Sequence, residues 1–212
     1  MKKSKVLVMT LCAVLLVATT VLGTMAYLTS EASVVNTFTV GKVEITLDEK
    51  DVDNDNNTAD NVTVNGVVRD KANTYHLIPG KTYTKDPTIH VDADSEDCYL
   101  FVKVENGIAA IEDATTVADQ MTAKGWIAVD GVDNVYVYTN GQTDPVSVTA
   151  GGDVTVFESF KVKGAVTNAE IAAYSGKEIT VTAYAVQKDG FETFAAKDIW
   201  TATFGAPATP DP

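Results

Sequence analysis

An all-β fold is predicted, a jelly-roll-like β-sandwich with a few short helices, preceded by a cleavable signal peptide. Three observations predict it. Beyond residue 40 the chain is built from short runs rich in Val, Thr, Ile and Tyr, separated by Gly, Asn, Asp and Pro. Turn signals recur at the short spacing typical of sandwiches and barrels, which gives about ten strands. No internal repeat or break in composition divides the body, so a single domain over residues 27–204 accounts for it.

The leader comes first. Lys2, Lys3 and Lys5 form a basic head, and Val6 to Leu22 is an apolar run of 17 residues interrupted by Thr10, Thr19 and Thr20. That length sits at the short edge of what spans a bilayer. Thr24 and Ala26 occupy the −3 and −1 positions of a cut between Ala26 and Tyr27, so residues 1–26 read as a secretory signal peptide, with an uncleaved anchor as the alternative. Cys12 lies inside the apolar run behind Leu11, not behind the small residue that a lipid-modified cysteine follows.

Cleavage removes three lysines and no acid, taking the net charge from −13 to −16. Such a surface repels nucleic acid and anionic membranes, and it suits a cation-rich extracellular setting. Cys98 is then the only cysteine left, so no internal disulfide can form; a lone thiol opening a strand reads as buried and inert.

The first strand is expected over Phe38 to Leu47. Phe38 and Val40 share one parity and Val43, Ile45 and Leu47 the other, so a bulge is expected at Gly41-Lys42. Asp48 to Asn61 reads as an acidic loop. Strands are then expected at Val62–Val68, Tyr75–Ile78, Thr88–Val91 and Tyr99–Glu105, with turns at Pro79-Gly80 and Asp86-Pro87. Thr115–Lys124 is expected to be a helix ended by Gly125. Strands follow at Trp126–Val129, Val135–Tyr138, Val146–Thr149 and Val154–Val162. Thr167 and Glu170 have capping-box spacing for a helix over Ala169–Tyr174. Glu178–Gln187 alternates as a long strand with one wetter face, Phe191–Trp200 is expected to be helical, and the Pro-rich tail 205–212 is expected to be disordered.

Motifs for chemistry are sparse. Gly80-Lys81-Thr82 lacks the earlier glycine and the following helix of a phosphate-binding loop. His76 and His90 are the only histidines and do not form the helical zinc-protease motif, which leaves a zinc site from the two plus an acid as a geometric option. No Gly-x-Ser-x-Gly elbow is present. Asp51, Asp53 and Asp55 match positions 1, 3 and 5 of a calcium loop, but Asn56 and Val62 stand where an EF-hand needs Gly and Glu. An irregular Ca2+ site and a solvated acidic loop are both readings of this stretch. Asp92, Asp94, Glu96 and Asp97 form a second acidic cluster.

Three segments carry a family resemblance. Gly23-Thr24-x-Ala26-Tyr27 followed by Asn36-x-Phe38-Thr39-x-Gly41-x-Val43-x-Ile45 resembles the start of TasA- and camelysin-like proteins. Pro79 to Pro87 and Thr182 to Phe191 extend the resemblance along the chain. It implies a jelly roll, processing by a SipW-type signal peptidase, and a secreted role in a Gram-positive biofilm matrix or at the cell surface. It also implies self-assembly into fibres, in which the N-terminal segment of one subunit adds as a strand to the next. Here that arm is Tyr27–Val40, with Tyr27, Leu28, Val34, Val35, Phe38 and Val40 as its apolar positions and Ser30, Glu31 and Ser33 as polar departures. Camelysin-like relatives carry a metalloprotease label, so an extracellular metalloprotease is one alternative, although no metal-ligand motif with a nearby general base is visible. A glycan- or partner-binding module is another, with Tyr75, Tyr83, Tyr136 and Tyr138 as its aromatics. No catalytic residue is expected for the structural reading.

Overall fold

The computed structural model describes residues 41–53, 61–64 and 67–205, together with Lys5 and Met9. The chain divides into two units, residues 1–40 and 41–212. In the first, Lys5 and Met9 are helical. The cleavage position Ala26–Tyr27, the arm positions Tyr27, Leu28, Val34, Val35, Phe38 and Val40, the candidate ligand Asp55 and the tail 206–212 all lie outside the described residues. No helix among the described residues is long and apolar enough to cross a membrane.

The second unit is mostly β, with antiparallel sheets that curl into a half-barrel and a few short helices. The strands are β1 (Ile45–Lys50), β2 (Val62–Val64), β3 (Val67–Asp70), β4 (Thr82–Thr84), β5 (Thr88–Val91), β6 (Cys98–Asn106), β7 (Trp126–Ala128), β8 (Val135–Tyr138), β9 (Ser147–Val148), β10 (Asp153–Thr155), β11 (Ser159–Lys161) and β12 (Ile179–Gln187). The helices are α1 (Val117–Ala123), α2 (Asn168–Ala172) and α3 (Ala196–Phe204), with a 3-10 turn at Ala109–Ile111. One sheet runs β10-β5-β1-β3-β2 and another β12-β6-β8-β7 with β9 also beside β6, while β11 and β4 form a separate pair.

The alternation along β6 explains why the layers stack as they do. Cys98, Leu100, Val102 and Val104 point into the main core, where they join Ile89 and Val91 of β5 and Val154 of β10. Tyr99 and Phe101 point the other way and meet Ile199 and Trp200 of α3. Phe101 is fully buried, which stabilises by about 2–3 kcal/mol relative to exposure. Trp126 is also fully buried, and its Nε1 donates to the Thr155 carbonyl at 3.2 Å, so the indole keeps a partner in a dry site.

Local signals set the helices. Thr116 caps α1 by accepting from the Asp119 N–H while the Asp119 carboxylate accepts the Thr116 N–H. Thr167 and Glu170 do the same for α2, as the capping-box spacing predicts. Gly125 ends α1 with φ 86°, a conformation that disfavours a side chain.

Several expected boundaries differ. β1 continues through Asp48, Glu49 and Lys50, which read as loop; Asp48 and Glu49 are buried there. Val43, Ile45 and Leu47 pack on the core as their parity predicts, but the ladder starts only at Ile45, and Lys42 and Glu44 bond instead to the 92–96 turn. Val62–Val68 is a hairpin with Val64 opposite Val67, not one strand. Tyr75–Ile78 makes no ladder: the Tyr75 hydroxyl donates to the Thr84 carbonyl, and the Ile78 N–H donates to the Tyr83 hydroxyl. Val154–Val162 breaks into β10 and β11 because Val156 and Phe157 are consecutive and both fully buried, which a two-residue alternation cannot supply. The last helix starts at Ala196, five residues later than expected. The wetter face of β12 is only partly wet, since α3 covers Tyr184 and Val186.

Candidate functional site

β1 carries charge on both faces, and each face builds a different arrangement. On one, Asp48 bonds the Arg69 guanidinium through Nε and the His90 ring through Nε2 at 3.1 Å. His90 Nδ1 lies 2.6 Å from Asp153 Oδ1, and Arg69 reaches the Asp86 carbonyl at 3.1 Å and its carboxylate at 3.4 Å. Burial pulls the Arg69 pKa down, but the bonds and charges of Asp48 and Asp86 outweigh it and hold it above the ordinary value. These contacts tie β1, β3, β5 and β10 together. Asp48 Oδ2 is buried with no hydrogen-bond partner among the described residues.

On the opposite face, Glu49 accepts from Lys85 Nζ at 2.7 Å and from Asn73 Nδ2 at 3.0 Å. Asn73 Oδ1 takes the Val52 N–H at 2.8 Å, and its Nδ2 also donates to the Lys50 carbonyl at 3.0 Å. The Lys85 amino group lies 5.9 Å from the Tyr75 ring centroid. Burial, followed by the charge of Glu49, pushes the Tyr75 hydroxyl well above the ordinary tyrosine range. Tyr75 packs edge-on against Tyr83 and Phe160. This cluster forms one wall of a cavity of about 850 Å³, whose other wall includes Ile171 and Tyr174 and the β12 residues Ile179 and Val181.

The acidic loop yields a third arrangement. Carboxylate oxygens of Asp51, Asp53 and Asp70 lie within 4.8 Å of one another, the hard-oxygen donor type that calcium takes. Thr74 N–H donates to Asp53 Oδ2 at 2.5 Å, and Asp70 Oδ1 accepts the N–H groups of Lys71 and Ala72. Asp51 and Asp53 lie together here, while Asp55 is outside the described residues. Asp70 joins them through the pairing of β1 with β3, in which Glu49 stands opposite Asp70. No sequence spacing signals the approach of that third carboxylate; it follows from strand pairing.

The remaining candidates do not converge. His90 is engaged by Asp48 and Asp153, whereas His76 lines the cavity. Asp92 closes its own turn by accepting the Asp94 N–H at 2.9 Å. Cys98 is free and buried, and burial pushes its thiol up to about 11, far from the range of a reactive thiolate.

One edge is also part of the geometry. β12 pairs with β6 along all its residues, Ile179 opposite Asn106 through Gln187 opposite Cys98. It ends its sheet, with no strand paired on its other side among the described residues. Comparison with known proteins returned no match to a family model, a curated protein or a solved structure.

Proposed function

We propose that this chain is a secreted structural subunit of an extracellular fibre or matrix, assembling by addition of the N-terminal segment of one copy to a sheet edge of another. The observation that carries the reading is the long edge of β12, unpaired among the described residues, beside a cavity lined by both charged and apolar side chains. A sheet edge with free ladder positions is a template for an added strand, and main-chain bonds supply the affinity in that mode. The leader pattern, the freed segment Tyr27–Val40 and the segments resembling TasA- and camelysin-like proteins support the same reading. Within it, the finer architecture is a jelly roll, the processing enzyme is a SipW-type signal peptidase, and calcium at Asp51, Asp53 and Asp70 is an ancillary ligand.

Electron microscopy and analytical ultracentrifugation of chains beginning at Tyr27 and at Gly41 test the proposal. Fibres are expected from the first and monomers from the second. Monomers from both, at high concentration and in the presence of calcium or acid, would overturn it.

A further inference from the structure

We propose that Lys85 and Asn73 become joined by an intramolecular amide bond, with Glu49 carrying the proton that the reaction must move. Three side chains from separate parts of the chain meet here. The Glu49 carboxylate is shared, Oε2 holding Lys85 Nζ at 2.7 Å and Oε1 holding Asn73 Nδ2 at 3.0 Å. The Lys85 and Glu49 side chains are only 12% and 6% exposed, so the pair is almost dry.

A buried lysine–glutamate pair is a poor stabilising device, since desolvating both ions offsets their attraction. The third member gives the arrangement a chemical sense. The Asn73 carboxamide is held at both ends: its oxygen accepts the Val52 N–H at 2.8 Å, and its nitrogen donates to Glu49 and to the Lys50 carbonyl. A backbone N–H on the carbonyl oxygen stabilises the negative charge that develops there when a nucleophile adds to the carbon. The carboxyl on the nitrogen side is placed to protonate the leaving amine. The lysine backbone is anchored through its N–H to the Glu158 carbonyl at 3.1 Å, while its flexible four-carbon stem lets Nζ move from Oε2 onto Asn73 Cγ.

The step balances without any co-reactant. Proton transfer along the Lys85–Glu49 bond gives a neutral amine and a neutral acid. The amine lone pair adds to Asn73 Cγ, and the Cγ–Nδ2 bond breaks as Glu49 protonates the departing nitrogen. Ammonia leaves through the adjoining cavity. The new amide keeps one N–H, ammonia carries three, and the fifth proton stays on Glu49 or departs with ammonia as ammonium. The product closes a covalent ring over residues 73–85 in a body that has no second cysteine for a disulfide. It does not depend on whether copies assemble, and its test reads covalent mass alone.

Intact-mass measurement of the folded, purified chain is expected to fall below the sequence mass by one ammonia. Proteolysis is expected to release a branched peptide linking the Asn73 and Lys85 segments. Lys85→Arg, which keeps the charge, and Glu49→Gln are each expected to restore the full mass and remove the branch. Burial of Cys98, read by thiol labelling, checks that each variant is folded. A wild-type chain at full sequence mass would overturn the proposal without reference to any variant. So would ammonia loss that persists in Lys85→Arg, which marks closure of Asn73 on its own backbone. An undiminished branch in Glu49→Gln would overturn the role given to Glu49.

Discussion

Glu112 Oε1 accepts the backbone N–H of Val117 at 3.3 Å from a residue only 4% exposed. The carboxyl thereby holds an orphan donor in the first turn of α1, but it does so where water scarcely reaches. Burial, as the largest effect, raises its pKa above the ordinary glutamate value despite the bonds from Asn106 and Val117. The folded state therefore keeps this proton to higher pH than the unfolded chain does. Over the window from the unfolded value upward the native state binds more protons, so stability contributed by this group falls as pH rises. Urea unfolding from pH 4 to pH 8 is expected to show that decline, and Glu112→Gln is expected to flatten it. An unchanged slope in the variant would assign the decline to other groups.

Gly125 and Gly176 both have positive φ, 86° and 74°, but different surroundings. A Cβ at Gly125 would sit 2.7 Å from Asn140 Cα, whereas one at Gly176 meets nothing within 4 Å. Gly176→Ala is expected to cost about 1–2 kcal/mol, the left-handed penalty alone. Gly125→Ala adds a backbone clash and is expected to cost about 1–3 kcal/mol more. Chemical denaturation of the two variants checks the order, and equal costs would refute the clash.

Calcium held by Asp51, Asp53 and Asp70 would stabilise the fold by mass action. At free calcium about a hundredfold above the dissociation constant the gain is about 2.7 kcal/mol. The expected result is a melting temperature that climbs with calcium but not with sodium at matched ionic strength, and a climb lost in Asp53→Asn. An equal climb in wild type and variant would move the effect to another site.

Legibility in the sequence followed the range of the interaction. β5 and β8 coincide with their apolar runs because neighbours in sequence are neighbours in the strand. Both capping boxes could be read for the same reason. Val62–Val68 reads as one strand from its valines, yet Asn65-Gly66 is the dipeptide most typical of a two-residue hairpin, and β2 and β3 pair across it. Tyr75–Ile78 has strand composition but spends its bonds on tyrosine hydroxyls nearby in the chain. Asp70 beside Asp51 and Asp53, and Lys85 with Asn73 on Glu49, could not be read at all. Those residues meet only once the β1 pairings and the turns around β4 are set.

The two-sided burial of β6 has a use at the bench. Cys98 opens that strand with no exposed surface and is the only cysteine in residues 27–212. Cys98 pairs with Gln187 at the end of β12 and with Val148 of β9, so a thiol reagent reaches it only when that end of the sheet opens. The rate of modification is thus an intrinsic clock for opening at that end of the sheet, read without an engineered probe.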